Sequence, residues 1–236
     1  MEIAGSNPAG GTNPFACPST VFISIEPLHL ADVLYPAGHP RACEIGPVFA
    51  FLVRHRDGPV LVDTGLGPSH PLIDRLYRPK RYSLSDALAG LGLPVTDVRI
   101  VVNTHLHFDH CGSNSLFRGT PIFVQAAELE AARQEGYTVA DFIDFPGAQY
   151  QQLHGQAEVA PGVRVVPTPG HTGGHQSVVI DDEHGPVIIA GQAAETARQF
   201  QRQQAETDEG VHSLRTLHDL MPSRVYFSHD LAVWEQ

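Results

Sequence analysis

The stretch THLHFDH, residues 104 to 110, constrains this chain more than any other, because no packing argument accounts for it. It puts His105, His107, Asp109 and His110 within six positions, directly after the apolar, β-branched run VRIVVN. In an extended segment alternate side chains share a face, so His105 and His107 can converge on one ion. Asp109 and His110 come after a turn of the chain and suit a second ion nearby. Imidazole nitrogen with carboxylate oxygen is a ligand set for zinc, with iron, manganese or another borderline divalent metal as alternatives. A polar loop merely rich in histidine would fix neither the residue types nor the spacing that HxHxDH fixes.

At 236 residues the chain is long for one ordinary domain and short for two, which predicts a single domain over residues 21–236. Hydrophobic residues at 42% and charged ones at 17% fit a soluble globular protein, with a core large enough to hold a buried site. The formal charge of -11 argues against a nucleic-acid surface, which carries a basic stripe. No window approaches the continuous apolar run that a membrane span needs. Residues 1–20, rich in Gly, Pro, Ser, Asn and Thr, read as a flexible leader; without a basic or apolar start they do not read as a secretory signal. Cys17, Cys43 and Cys111 are odd in number and widely spaced, which predicts reduced thiols and a cytoplasmic location. Cys111 reads either as a small residue buried at a tight spot or as a thiol near the metals.

Taken in order, residues 21–30 open as a strand, with Val21, Ile23 and Ile25 alternating against polar neighbours. Residues 48–56 and 59–65 form a predicted hairpin about Asp57 and Gly58. Asp63 ends its second strand, either supporting the metal ligands from behind by hydrogen bonds or capping the turn at Thr64 and Gly65. Ser69 can cap a helix that presents Leu72, Ile73, Leu76 and Tyr77 on one face and stops at Pro79. Ser83 or Ser85 can cap a second, with Leu84, Leu88 and Leu91 on one face and Gly92 ending it. The cluster Arg75, Arg78, Lys80 and Arg81 between them reads as a solvated helix end or a site for an acidic substrate.

The strand at 98–105 delivers the histidines, 121–125 is another strand, and 126–136 is an alanine-rich helix. Residues 137–160 show no clear period; Tyr137, Phe142, Phe145 and Tyr150 either line an apolar pocket or pack as a loop over the core. Residues 163–181 read as strand, loop, strand, the loop presenting His171 among glycines, with His175 as the competing ligand. A buried strand at 186–191 leads to Gln192 and Glu195, and a helix at 208–221 places Val211, Leu214, Leu217 and Met221 at helical spacing. The strand at 224–230 ends with His229. Strands and helices alternate in both halves, which predicts an α/β fold of two packed sheets with helices outside. His29, His39, His55, His70, His154, His184, His212 and His218 read as structural or surface residues.

These segments together resemble the metallo-β-lactamase superfamily, and more closely its N-acyl-homoserine lactone lactonase branch. VLVDTG, THLHFDH followed by a glycine, TPIFVQAAELEAA, PGVRVVPTPGHTGGHQS and YFSHD carry the resemblance over nearly the whole chain after the leader. It implies an αββα sandwich. It also implies that His105, His107 and His171 hold one metal, that Asp109, His110 and His229 hold the other, and that Asp63 supports them. A hydroxide between the ions would be the nucleophile, the ions would stabilise the oxyanion, and Asp109 would pass a proton to the leaving alkoxide.

Two positions depart from that pattern. Gln192 stands where the family has an aspartate bridging both metals, and Glu195 where lactonases carry a tyrosine. The amide removes a negative charge from a site that neutralises two dications, so the second ion should bind more weakly. Glu195 could turn toward the metals as a replacement carboxylate, meet a cationic part of the substrate, or pair with Arg198 on a helix surface. The expected function is a two-zinc hydrolase opening a lactone or cleaving an ester-like bond in a small molecule with an acyl carbonyl, with a homodimer as its assembly. A thioesterase or amide hydrolase, a tailoring enzyme of the same fold and a non-hydrolytic metal-binding protein are the alternatives. Glyoxalase II proteins would need a C-terminal helical domain where seven residues follow His229, nucleases of the fold carry inserted domains or basic exosites, and flavodiiron oxidoreductases replace a histidine of the cluster that His107 retains.

Overall fold

Side-chain alternation along the strands decides the layering. In β2 (Ile45–Arg54) the residues Phe49, Phe51 and Val53 point to one face, Ala50 and Leu52 to the other, and all are buried. A strand buried on both faces must lie between two other layers. The structure is a computed structural model and describes residues 24–236. The leader expected at 1–20, and Val21 and Ile23 of the first expected strand, lie outside the described residues.

The first sheet contains β1 (Ser24–Leu34), β2, β3 (Val60–Val62), β4 (Lys80–Arg81), β5 (Ile100–Val102), β6 (Pro121–Gln125) and β7 (Gln149–Leu153) in the order β4-β1-β2-β3-β5-β6-β7. From β3 to β7 the pairing is parallel, and the crossovers bring helices onto one face. The second sheet runs β13-β12-β11-β10-β9-β8, built from β8 (Ala157–Ala160), β9 (Val163–Pro167), β10 (Gln176–Ile180), β11 (Val187–Ile189), β12 (Arg224–Tyr226) and β13 (Trp234–Glu235). Phe49, Phe51, Val53, Val60, Val62 and Val102 of the first sheet meet Val163, Val165, Val178, Ile180 and Ile189 of the second in one cluster. Side chains of opposite parity face the helices. Leu52 and Leu61 pack with Leu84 and Leu88 of α2 (Leu84–Gly90). Val166, Val179, Ile188 and Val225 pack with Phe200 of α6 (Ala197–Arg202) and with Leu214 and Leu217. The result is the expected αββα sandwich.

Several local expectations change. The N-cap of α1 (Pro71–Tyr77) is His70, while Ser69 spends its hydroxyl on the Asp74 carboxylate. Only Ile73 of that helix is buried; Leu72 and Leu76 are 49% and 43% exposed. The basic cluster is partly tied down, with Arg81 bonded to Asp74 and to the Gly67 carbonyl. Residues 137–160 are not an unstructured loop but carry α5 (Ala140–Ile143), β7 and β8; their apolar residues alternate weakly because β7 is an edge strand. Met221 falls beyond the C-terminus of α7 (Asp208–Asp219), at φ 52° and 72% exposed, so it takes no part in that helix's apolar face. The cap of α2 is Ser83, accepting from the Asp86 N–H. No helix among the described residues is long and apolar enough to cross a membrane.

Candidate metal centre

Every residue of the centre follows the C-terminal end of a strand: Asp63 after β3, His105 to His110 after β5, His171 after β9, Gln192 after β11 and His229 after β12. After β5 the chain leaves the sheet and bends at Thr104; at His107 the backbone is extended, and its carbonyl accepts from the His110 and Cys111 N–H groups to begin α3 (Phe108–Cys111). This change of conformation separates the directions of the two ligand pairs. His105, His107 and His171 converge, with His105 Nε2 and His171 Nε2 each 3.1 Å from His107 Nδ1. Asp109, His110 and His229 form a second group, with 3.3 Å between the two Nε2 atoms and Asp109 Oδ2 3.8 and 3.5 Å from them.

The protons of three of these rings, His105, His110 and His229, are fixed from behind. Asp63 is wholly buried, at φ 62°, and accepts from the Thr104 N–H at 2.7 Å, the Thr104 hydroxyl at 2.8 Å and His110 Nδ1 at 2.8 Å. It is therefore a support for the histidine loop and not merely a turn cap. With its own proton given to Asp63, Thr104 Oγ1 accepts from His105 Nδ1 at 3.2 Å. His229 Nδ1 donates to the Pro47 carbonyl at 2.9 Å. The Nε2 lone pairs of His110 and His229 are thereby left facing each other with a carboxylate oxygen alongside. Such a pair is matched by a shared proton or by a metal cation between its members, and the donor set fits a divalent metal of the zinc type.

The titration of every histidine of the two groups except His110 agrees with this arrangement. Burial, reinforced by neighbouring imidazoles, holds His105 well below the ordinary histidine value and His171 at about 3. Burial also takes His229 to about 4. Neutral imidazole is the metal-binding form. Burial works against charge on Asp109 and His110 too, but it is outweighed: His110, His229 and His107 keep Asp109 low, and Asp63 and Asp109 raise His110.

Gln192 presses its side chain on His110, yet its Oε1 is buried without a hydrogen-bond donor. That orphaned carbonyl oxygen is a further fit to a metal. His175, the competing candidate, is not in either group. It lies behind them, donating from Nδ1 to Thr168 Oγ1 at 2.8 Å and accepting the Gln192 N–H on Nε2 at 2.9 Å. Gly191 permits this: at φ 62° any Cβ would meet His175 Nε2 at 2.7 Å. Cys111 is buried against the Leu106 carbonyl, and burial pushes its thiol up, so it packs and does not ligate.

Glu195 is outside both groups and unpaired with Arg198. Its side chain, 17% exposed, faces His39 at 3.7 Å and Arg41 at 3.8 Å. Arg41 also donates to the Tyr35 hydroxyl and the His229 carbonyl, and His39 stacks on Tyr35. The segment 35–47 thus straps across the centre, a role for His39, Arg41 and Pro47 that no local pattern announces. Two cavities flank the two donor groups. An apolar one of about 560 Å³ is lined by Leu72, Leu76, Tyr77, Phe108, Val139 and His107. The other, of about 420 Å³, sets the charged and amide groups of His39, Gln192, Glu195 and Glu206 among small apolar residues such as Pro169 and Ala193.

Residues 44–229 match the family model of the metallo-beta-lactamase superfamily, and the chain belongs to that superfamily. It is 33% identical over 205 residues to an N-acyl homoserine lactonase from Bacillus sp, a match covering 78% of this chain and 82% of that protein. The N-acyl homoserine lactonase AttM of Rhizobium johnstonii is 29% identical over 220 residues, with 80% and 83% covered. Among solved structures, an AiiA variant of B. thuringiensis with N-decanoyl-L-homoserine bound at its active site superposes with a TM-score of 0.75 at 27% identity, covering 90% of this chain and 94% of that one. An N-acyl homoserine lactone hydrolase with the product N-hexanoyl-L-homoserine at its catalytic metal centre gives the same values.

Proposed function

We propose that the chain is a metal-dependent hydrolase that opens the ring of N-acyl-homoserine lactones in the cytoplasm. The observation that carries this reading is the pair of donor groups, with the Nε2 atoms of His105, His110 and His229 turned inward, sited between a cavity walled by large apolar side chains and one that holds Glu195 and Glu206. His105, His107 and His171 would hold one ion; Asp109, His110 and His229, with the Gln192 amide oxygen, would hold the other. Zinc suits these donors first, with iron and manganese as alternatives. Bound metal supplies water activated at neutral pH and polarises the carbonyl under attack. Asp109, beside His110 and His229, would carry a proton to the leaving alkoxide. Leu72, Leu76, Tyr77 and Phe108 receive an acyl tail, and Glu195 accepts hydrogen bonds from the polar side of the substrate.

The test is a pH-stat assay on N-decanoyl-homoserine lactone with metal counted by elemental analysis. Ring opening that a chelator abolishes and added zinc restores is expected; turnover indifferent to chelation would sink the reading. A second reading, cleavage of an open-chain ester or thioester, is favoured by one feature: Glu195 puts a carboxylate in the second cavity, where an extended leaving group would lie. Faster hydrolysis of such an ester than of any lactone would decide for it.

A further inference from the structure

Glu128 lies in α4 (Ala126–Ala132), on a stretch whose composition reads as a good helix former, and it has no exposed surface. A buried carboxylate needs donors, and it has three. Oε1 accepts from the Leu106 N–H at 2.8 Å and the Tyr137 hydroxyl at 2.5 Å, and Oε2 accepts from the Thr172 hydroxyl at 2.7 Å. Leu106 sits between His105 and His107. Thr172 follows His171. The ring of Tyr137 lies against His107, with centroids 4.9 Å apart. At Gly174 the chain passes so near that a Cβ would lie 2.3 Å from the Glu128 nitrogen, which clamps the His171 loop onto α4.

We propose that Glu128 is a positioning residue of the metal centre: its single carboxylate sets the distance between the His105–His107 segment and the His171 loop, and so the size of the three-histidine group. Its bonds reach the backbone and the neighbours of the ligands and never the ligand nitrogens. The second group, Asp109, His110 and His229, receives none of them. Glu128 therefore governs one ion and not the other.

This inference rests on the metal-centre reading, and its test keeps the two apart. Zinc affinity of the full chain is measured by competition with a chromophoric chelator, and the cobalt(II) absorption spectrum reports ligand geometry. Glu128→Ala is expected to weaken one ion by about ten- to a hundred-fold, as loss of a hydrogen-bonded support behind metal ligands does, and to change one cobalt band set while the other ion keeps its affinity. Glu128→Gln, whose amide oxygen can still accept from Leu106 and Tyr137, is expected to restore most of that affinity. Should Glu128→Ala fail to fold, the double variant Tyr137→Phe with Thr172→Val, which keeps the carboxylate, is expected to weaken the same ion. A folded variant with both affinities and the cobalt spectrum unchanged would overturn the proposal alone. A wild-type chain that binds no ion would overturn the metal-centre reading and this proposal with it.

Discussion

At Gln192 an amide occupies a position whose oxygen is buried beside His110 with no donor to meet it. A carboxylate there would add one negative charge to a centre where only Asp109 among the six converging residues is anionic. Metal affinity should follow that charge, since bound dications dominate the local field. Gln192→Asp is expected to tighten the more weakly held ion by at least about ten-fold, the equivalent of roughly 1.4 kcal/mol, in the chelator competition. Unchanged affinity for both ions would show that the amide oxygen is not directed at metal. The residue types and spacing of THLHFDH were enough to single out His105, His107, Asp109 and His110. What they could not show was which protons His105, His110 and His229 carry, because Asp63, acting on His110 and on the hydroxyl of Thr104, and Pro47, acting on His229, assign them from distant positions.

Helix α1 illustrates the element scale, where periodicity predicts an apolar face but not what that face meets. Only Ile73 enters the core, and Leu72 and Leu76 are left beside Tyr77 and Phe108 on the wall of the apolar cavity. Replacing both leucines with serine should leave the fold intact, since neither is a core residue. It should cost binding of long acyl chains more than short ones, because each buried methylene contributes about 0.8 kcal/mol. The expected outcome is a KM for N-decanoyl-homoserine lactone raised by at least about ten-fold, with that for the N-hexanoyl substrate nearly unmoved. Equal effects on both would place the tail elsewhere. The same scale explains the strands that composition concealed: β7 and β8 are edge strands, where weak alternation suffices because one side has no partner.

For the whole molecule, the centre stores its histidines in the neutral state at a cost that depends on pH. His105, His107, His171, His175 and His229 are all depressed, chiefly by burial, and His110 alone is raised. An unfolded histidine titrates near about 6.5, so between there and about 4 the unfolded chain binds more protons than the folded one. Stability of the metal-free protein should therefore fall as pH drops through that window. His110 acts in the opposite sense, its contribution being present at low pH and lost as pH rises through its folded value. Five groups against one decide the sign. Urea unfolding of the chelated chain should show a lower midpoint at pH 4.5 than at pH 7.5, and zinc at pH 7.5 should raise it by mass action; a higher midpoint in acid would contradict the assignment of neutral rings. The sequence by itself determined the layers and the local ligand cluster, because side-chain period and spacing act over a few residues. Only the tertiary structure decided that Pro47 and Arg41 hold His229, at separations of 182 and 188 positions, that Glu195 faces His39 and Arg41, and that Glu128 links two ligand loops. Contacts of that range arise from how the two sheets close on each other, and burial makes each polar group find its partner there.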